Sequence, residues 1–168
     1  VSYLIYAAYG SNLLKERLLA YIKGGKFENR DYDSCKKDTS EPESLGWMFV
    51  PHRLYFAKKS RRWDSQGVAF LSCKKEETPD FYAVVRLWKV SEIQFECIKR
   101  QEGAWYNHEL ILGEKDGLII KTMTGCWEKE VNPPSERYLQ VIKRGLKETT
   151  EWSDKEIENY LRKFLPKA

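Results

Sequence analysis

The chain has 168 residues, with 42% hydrophobic, 32% charged and a net charge of +4 from 29 basic and 25 acidic side chains. That length suits a single domain spanning residues 1–168, able to bury roughly 70% of its unfolded surface, and the composition excludes a disordered chain. No apolar run approaches the ~18 residues of a membrane-spanning helix, and so mild a positive excess, spread over a chain dense in both signs, does not indicate nucleic acid.

In chain order, Tyr3–Ala8 reads as a short strand buried on both faces. It lacks a basic leader and runs into Tyr9-Gly10-Ser11-Asn12 instead of a small-residue cleavage site, which predicts a structural strand in a cytoplasmic protein. Leu13, Leu14, Arg17, Leu18 and Tyr21 follow at helical spacing, with Ser11 or Asn12 as the expected N-cap and Gly24-Gly25 as the stop. Residues 26–46 are polar and form a long surface excursion. Three strand signals come next, at 47–58, 67–73 and 81–90. Ser91 then caps a helix that ends in Gln101-Glu102-Gly103. Two strands at 106–112 and 118–127 flank a turn at Glu114-Lys115-Asp116-Gly117. Pro133-Pro134-Ser135-Glu136 opens a helix with Tyr138, Val141, Ile142 and Leu146 on one face, and Ser153 opens a last amphipathic helix. Six Trp, ten Tyr and seven Phe favour a sheet-rich core. Mixed order of this kind indicates an α+β domain with a curled sheet or small barrel.

The four cysteines, Cys35, Cys73, Cys97 and Cys126, stand far apart in the chain. No CxxC or Cys/His ligand spacing occurs, so reduced structural thiols and no metal are expected. His108 and Ser11 do not make a nucleophilic pair on sequence grounds, because no Gly-x-Ser-x-Gly elbow is present. The basic run Lys58-Lys59-Ser60-Arg61-Arg62-Trp63 could grip phosphates, but it also suits a charged hairpin tip.

Two segments point to chemistry. A strand ending in Gly10-Ser11-Asn12 and passing into a helix leaves backbone N–H groups free to hold a carboxylate or an oxyanion, although the same residues make an ordinary capped turn. Glu102 falls at a helix C-terminus, where the dipole disfavours negative charge and so favours proton uptake. The plainer reading is a solvated helix-end Glu beside a Gly C-cap.

Together these residues resemble the γ-glutamylcyclotransferase family. The likeness is carried by Tyr9-Gly10-Ser11-Asn12-Leu13, by Trp63 through Gly67-Val68-Ala69, by Gln101-Glu102-Gly103, and by Pro134-Ser135-Glu136-Arg137-Tyr138 with Gly145-Leu146. The four segments occur in family order over nearly the whole chain. The resemblance implies a small mixed β-barrel with surrounding helices. It also implies cofactor-free release of 5-oxoproline from a γ-glutamyl amine or a γ-glutamyl amino acid by a monomer or homodimer that binds neither nucleic acid nor membrane. In that chemistry the substrate's own α-amine attacks its γ-carbonyl. Glu102 would be the general acid/base, Tyr9, Gly10, Ser11, Asn12 and Leu13 the substrate cradle, and Tyr106 a supporting hydroxyl. The chain departs from many relatives at Gln66-Gly67, in residues 127–130 and in the length of the 26–46 excursion, all at the expected pocket rim. A non-catalytic binding module on the same barrel is the alternative from a different class.

Overall fold

Strand β1 (Tyr3–Ala8) lies at the centre of a five-stranded mixed sheet in a computed structural model that describes residues 1–167. Leu4, Ile5, Tyr6, Ala7 and Ala8 are all buried, as a strand covered on both faces requires. With the remaining strands β2 (Gly25–Phe27), β3 (Arg30–Tyr32), β4 (Glu43–Val50), β5 (Leu54–Ser60), β6 (Gln66–Leu71), β7 (Ala83–Ser91), β8 (His108–Lys115) and β9 (Leu118–Thr124), the sheet order is β4-β7-β1-β9-β8. β1 runs antiparallel to β7 and parallel to β9.

The strand expected at 47–58 is two strands. Pro51 has no N–H to continue a ladder, the chain turns with His52 N donating to the Val50 carbonyl, and β5 leaves to form a hairpin with β6. That hairpin is tied back to the sheet at the end of β9, where Thr124 Oγ1 accepts from Leu71 N and donates to its carbonyl. Sheet and hairpin thus curl around one aromatic-rich core, and the α+β class is as expected. A return segment crosses the hairpin: Asn132 N donates to the Phe56 carbonyl and Gly67 N to the Pro133 carbonyl. A Cβ on Gly67 would lie 2.0 Å from the Asn132 oxygen, so only glycine fits there.

The helices are α1 (Lys15–Lys23), α2 (Glu92–Glu102), α3 (Glu136–Thr150) and α4 (Asp154–Arg162). Ser91, Ser135 and Ser153 cap the last three, with capping boxes at Ser91/Gln94 and Ser153/Glu156. α1 departs from expectation. Ser11 and Asn12 belong to a separate 3-10 turn (Ser11–Leu13), and extended Leu14 precedes the helix, which puts their side chains too early to cap it. The first α1 N–H that looks for a partner, that of Lys15, instead donates to Glu148 of α3 at 2.8 Å. Arg86 pairs with the same carboxylate and donates to the Leu13 carbonyl, so one ion pair anchors the whole turn.

The polar excursion is not structureless. It holds the β2–β3 hairpin and then a disulfide from Cys35 to Cys97 in the middle of α2, while a second disulfide joins Cys73 to Cys126. The expectation of reduced thiols is therefore corrected: all four cysteines are paired, with Cα atoms 5.8 Å apart in each pair. Separations of 62 and 53 residues hide such pairing from any local motif. By loop-closure entropy each bridge is worth about 4 kcal/mol against the unfolded chain. No helix among the described residues is long and apolar enough to cross a membrane.

Candidate active site

A cavity of about 230 Å³ opens between the turn after β1, the end of α2 and the β5–β6 hairpin. Its walls include Tyr9, Gly10, Ser11 and Asn12 on one side, Glu102 and Tyr106 on another, and buried Trp63, with half-buried Arg62 and exposed Arg30 toward the mouth. The strand-to-turn geometry sets the floor. Leu13 N and Leu14 N turn back to the carbonyls of Gly10 and Ser11. The N–H groups of Ser11 and Asn12 have no protein acceptor among the described residues. Backbone donors left free beside a cavity are what an anionic group needs.

Glu102 ends α2, and its carboxylate is held at both oxygens. Asn12 Nδ2 donates to Oε1 at 2.9 Å and the Tyr21 hydroxyl donates to Oε2 at 3.1 Å. Asn12 Nδ2 is also 3.0 Å from the Tyr6 hydroxyl, while its main-chain carbonyl accepts from Trp88 Nε1. The carboxylate is thereby fixed in orientation and keeps lone pairs for a substrate.

Behind Tyr21 stand two guanidinium groups, because its hydroxyl oxygen accepts from Arg17 Nη2 and Arg62 Nη1. Arg17 is fully buried, with its guanidinium 4.1 Å from the Tyr21 ring centre and 4.4 Å from that of Tyr32. Its Nε and Nη1 have no hydrogen-bond partner among the described residues, so ring faces and the nearby Glu102 carboxylate offset its charge. Two cations pulling on the phenol oxygen strengthen the bond it donates to Glu102.

Of the residues expected at the site, Tyr9, Gly10, Ser11, Asn12, Glu102 and Tyr106 line the cavity and Leu13 does not. Leu13 is core, 1% exposed, and its N–H is already spent on the Gly10 carbonyl. Tyr9 and Tyr106 line the wall with their rings while their hydroxyls donate to the carbonyls of Met123 and Ala69. Tyr138 was expected only as a core residue of its helix, yet its hydroxyl reaches the cavity wall and accepts from Ala69 N. Arg17, Tyr21 and Arg30 were not singled out for the site, whereas Arg62 belongs to the basic run 58–62 noted in the sequence. Arg17 did carry a signal: it is the one charged residue among the apolar positions at helical spacing in α1. Of the basic run, Lys58 pairs with Glu130 and sits over Trp127, leaving Arg62 to turn inward. His108 lies at the start of β8, where its ring comes within 4.8 Å of the bonded sulfurs of Cys73 and Cys126.

Burial gives this chain a tyrosine-dependent alkaline limit. It pushes the Tyr21 and Tyr55 phenols up to about 12 from an ordinary 10.0, and raises Tyr6, Tyr9, Tyr106, Tyr138 and Tyr160 as well. A folded value above the unfolded one means stability that is fully present below pH 10.0 and lost as pH climbs through about 12. We expect the thermal midpoint to hold to about pH 9.5 and then fall steeply, with the absorbance of these seven tyrosinates rising only as the protein unfolds. Tyrosinate absorbance reaching that of all ten tyrosines near pH 10.0 in the still-folded protein would contradict this burial.

Comparison with solved structures identifies the fold. A structure described as gamma-glutamyl cyclotransferase superposes with a TM-score of 0.70 over 99% of this chain and 90% of that one, at 19% identity. The chain has the γ-glutamyl cyclotransferase fold. An uncharacterized protein from Homo sapiens matches equally well, at a TM-score of 0.69 and 20% identity over 99% of this chain and 90% of that one. YkqA from Bacillus subtilis gives 0.65 at 15% identity over all of this chain (100%) and 57% of its own. At such identities the γ-glutamyl cyclotransferase likeness is one of fold. In sequence, Histone deacetylase 5 of Arabidopsis thaliana is 27% identical over 209 aligned positions, 96% of this chain. The chain spans 31% of that relative's length. No family model matches the sequence.

Proposed function

We propose that this chain is a cyclotransferase that releases 5-oxoproline from a γ-glutamyl amino acid. The observation that carries the reading is the Glu102 carboxylate, oriented by Asn12 and Tyr21 toward a cavity floored by the free N–H groups of Ser11 and Asn12. Glu102 takes a proton from the substrate's α-ammonium, and the freed amine attacks the γ-carbonyl carbon to close a five-membered ring. The tetrahedral oxyanion is held by backbone N–H groups of the turn. Glu102 then returns the proton to the departing nitrogen as the original amide C–N bond breaks, and the second proton shed by the ring nitrogen as it becomes the lactam N–H goes to the released amine, so the substrate is cleaved with no protein nucleophile and no net proton change. Burial of the cavity and a folded substrate conformer supply the proximity that ring closure needs.

The leaving group faces the mouth. Arg62 is committed to Tyr21 and the Gln101 carbonyl, whereas Arg30 has no ion-pair partner among the described residues and lines the same opening. A free guanidinium there favours a departing amine that carries a carboxylate. The test is a panel of γ-glutamyl-L-alanine, γ-glutamyl-n-propylamine and γ-glutamyl-ε-lysine assayed for 5-oxoproline. The alanine compound should lead the propylamine by about tenfold in kcat/KM, and Arg30→Ala should level the two. Equal rates in the unaltered protein would remove Arg30 from the reading. Binding without turnover of any member would favour the non-catalytic module. Two disulfides also suit a compartment oxidising enough to form them better than a steadily reducing cytoplasm.

A further inference from the structure

We infer that the Cys35–Cys97 disulfide is a thiol-reducible switch that sets the order of the site, and that it is addressed by a small zwitterionic thiol. Three observations meet at this bond. First, a second cavity of about 880 Å³, separate from the one holding Glu102, has Cys35 and Cys97 in its lining although both residues are otherwise nearly buried, at 2% and 3% exposed. Lys36, Lys37 and Arg100 share its walls with Asp33, Glu92 and Glu96, so it presents both signs of charge, as a molecule bearing ammonium and carboxylate together requires.

Second, the bond straps together the two walls of the site. Cys97 lies one turn and a half before Glu102 on the same helix. Cys35 follows directly on the β2–β3 hairpin, which brings Arg30 to the mouth and Tyr32 onto the rings and guanidinium behind Tyr21. Third, Gln101 wires the sulfurs to the Glu102 support: its Nε2 is 3.3 Å from Cys97 Sγ and donates to the Tyr21 carbonyl at 3.0 Å. Cys35 N donates to the carbonyl of Ile22, next along α1. Cutting the bond removes the covalent cross-link between the segment after the hairpin and α2, leaving noncovalent contacts such as those of Gln94 with Asp38 and Ser40 to hold them together.

The chemistry balances as ordinary exchange. A thiolate attacks one sulfur of the pair, a mixed disulfide forms and the other cysteine leaves as a thiolate. A second thiol then attacks the mixed disulfide, giving two protein thiols and one small-molecule disulfide, with two electrons transferred to the protein. The reverse reaction with the oxidised small molecule restores the strap.

The consequence for turnover rests on the proposed cyclotransferase reading, whereas the consequence for order does not, so both are measured. L-cysteine, which carries no γ-glutamyl group, is the reductant and cystine the oxidant; mercaptoethanol is the neutral comparison, with rates normalised to a small model disulfide. Mass spectrometry follows each bond, amide exchange follows residues 26–46 and 92–103, and 5-oxoproline release follows the site. Reduction of Cys35–Cys97 should raise exchange in both segments and raise KM by about tenfold, reversibly, in step with that bond and not with Cys73–Cys126. Cys73→Ser/Cys126→Ser should keep the response, and Cys35→Ser/Cys97→Ser should be loosened from the start and indifferent to thiol. Should that last variant not fold, the reduced unaltered protein supplies the same comparison. Unchanged exchange after full reduction of Cys35–Cys97 overturns the switch, and normalised rates equal for L-cysteine and mercaptoethanol overturn the zwitterion preference. Absence of turnover in both redox states overturns the cyclotransferase reading, with the exchange data still deciding the switch.

Discussion

Glu102→Gln should lower 5-oxoproline release by about three orders of magnitude, the scale of a lost general acid/base, while a γ-glutamyl ligand still binds. The amide is the right probe because it keeps the shape of the carboxylate and both its neighbours. Asn12 Nδ2 and the Tyr21 hydroxyl each donate to one carboxylate oxygen. An amide has one acceptor oxygen, so one of these donors must readjust. Asn12 can do so, because its Oδ1 has no partner and can accept from the new NH₂ once the Asn12 amide turns over. The variant therefore stays folded and loses only the proton shuttle. A calorimetric titration beside the rate assay checks this: full activity in the variant removes Glu102 from the mechanism, and loss of binding in step with rate would make its role one of holding substrate.

The second large effect comes from a residue that touches no substrate. α3 passes so close to the 3-10 turn that a Cβ on Gly145 would lie 2.7 Å from Leu13 Cβ, 2.8 Å from Leu14 N and 2.9 Å from the Leu13 carbonyl carbon. Two of those are main-chain atoms, so the turn itself must shift. Gly145→Ala gains about 1 kcal/mol of helix propensity and loses about 1–3 kcal/mol to overpacking. Net destabilisation is modest. The catalytic cost is larger, since displacing the turn moves the Ser11 and Asn12 N–H groups and the Asn12 side chain that orients Glu102. We expect kcat/KM to fall by about a hundredfold with a thermal midpoint lower by only a few degrees. Unaltered activity would mean that the turn position is not what assembles the site.

How much of this was readable in the chain follows the range of each interaction. β1, the caps at Ser91, Ser135 and Ser153, and the Asp116-Gly117 turn are written in a few neighbouring residues, and each is found where spacing puts it. Glu102 at the close of α2 was legible for the same reason. The cap of α1 was not, because its acceptor, Glu148, lies 133 residues away. The division of 47–58 into two strands was marked by Pro51, a local signal outweighed by the apolar run around it. Disulfide pairing and the ring-lined seat of Arg17 depend on segments that meet only in the folded sheet, so composition showed the aromatic excess without showing what it surrounds.

The most direct measurement is the identity of the products when the oxidised protein is given γ-glutamyl-L-alanine beside its N-acetylated form, both followed by proton NMR. Ring closure by the substrate's own amine predicts 5-oxoproline and alanine in equal amounts from the first compound and nothing from the second, whose amine cannot attack. Free glutamate from the first, or cleavage of the second, would mean that water or a protein group attacks the carbonyl and would contradict the account.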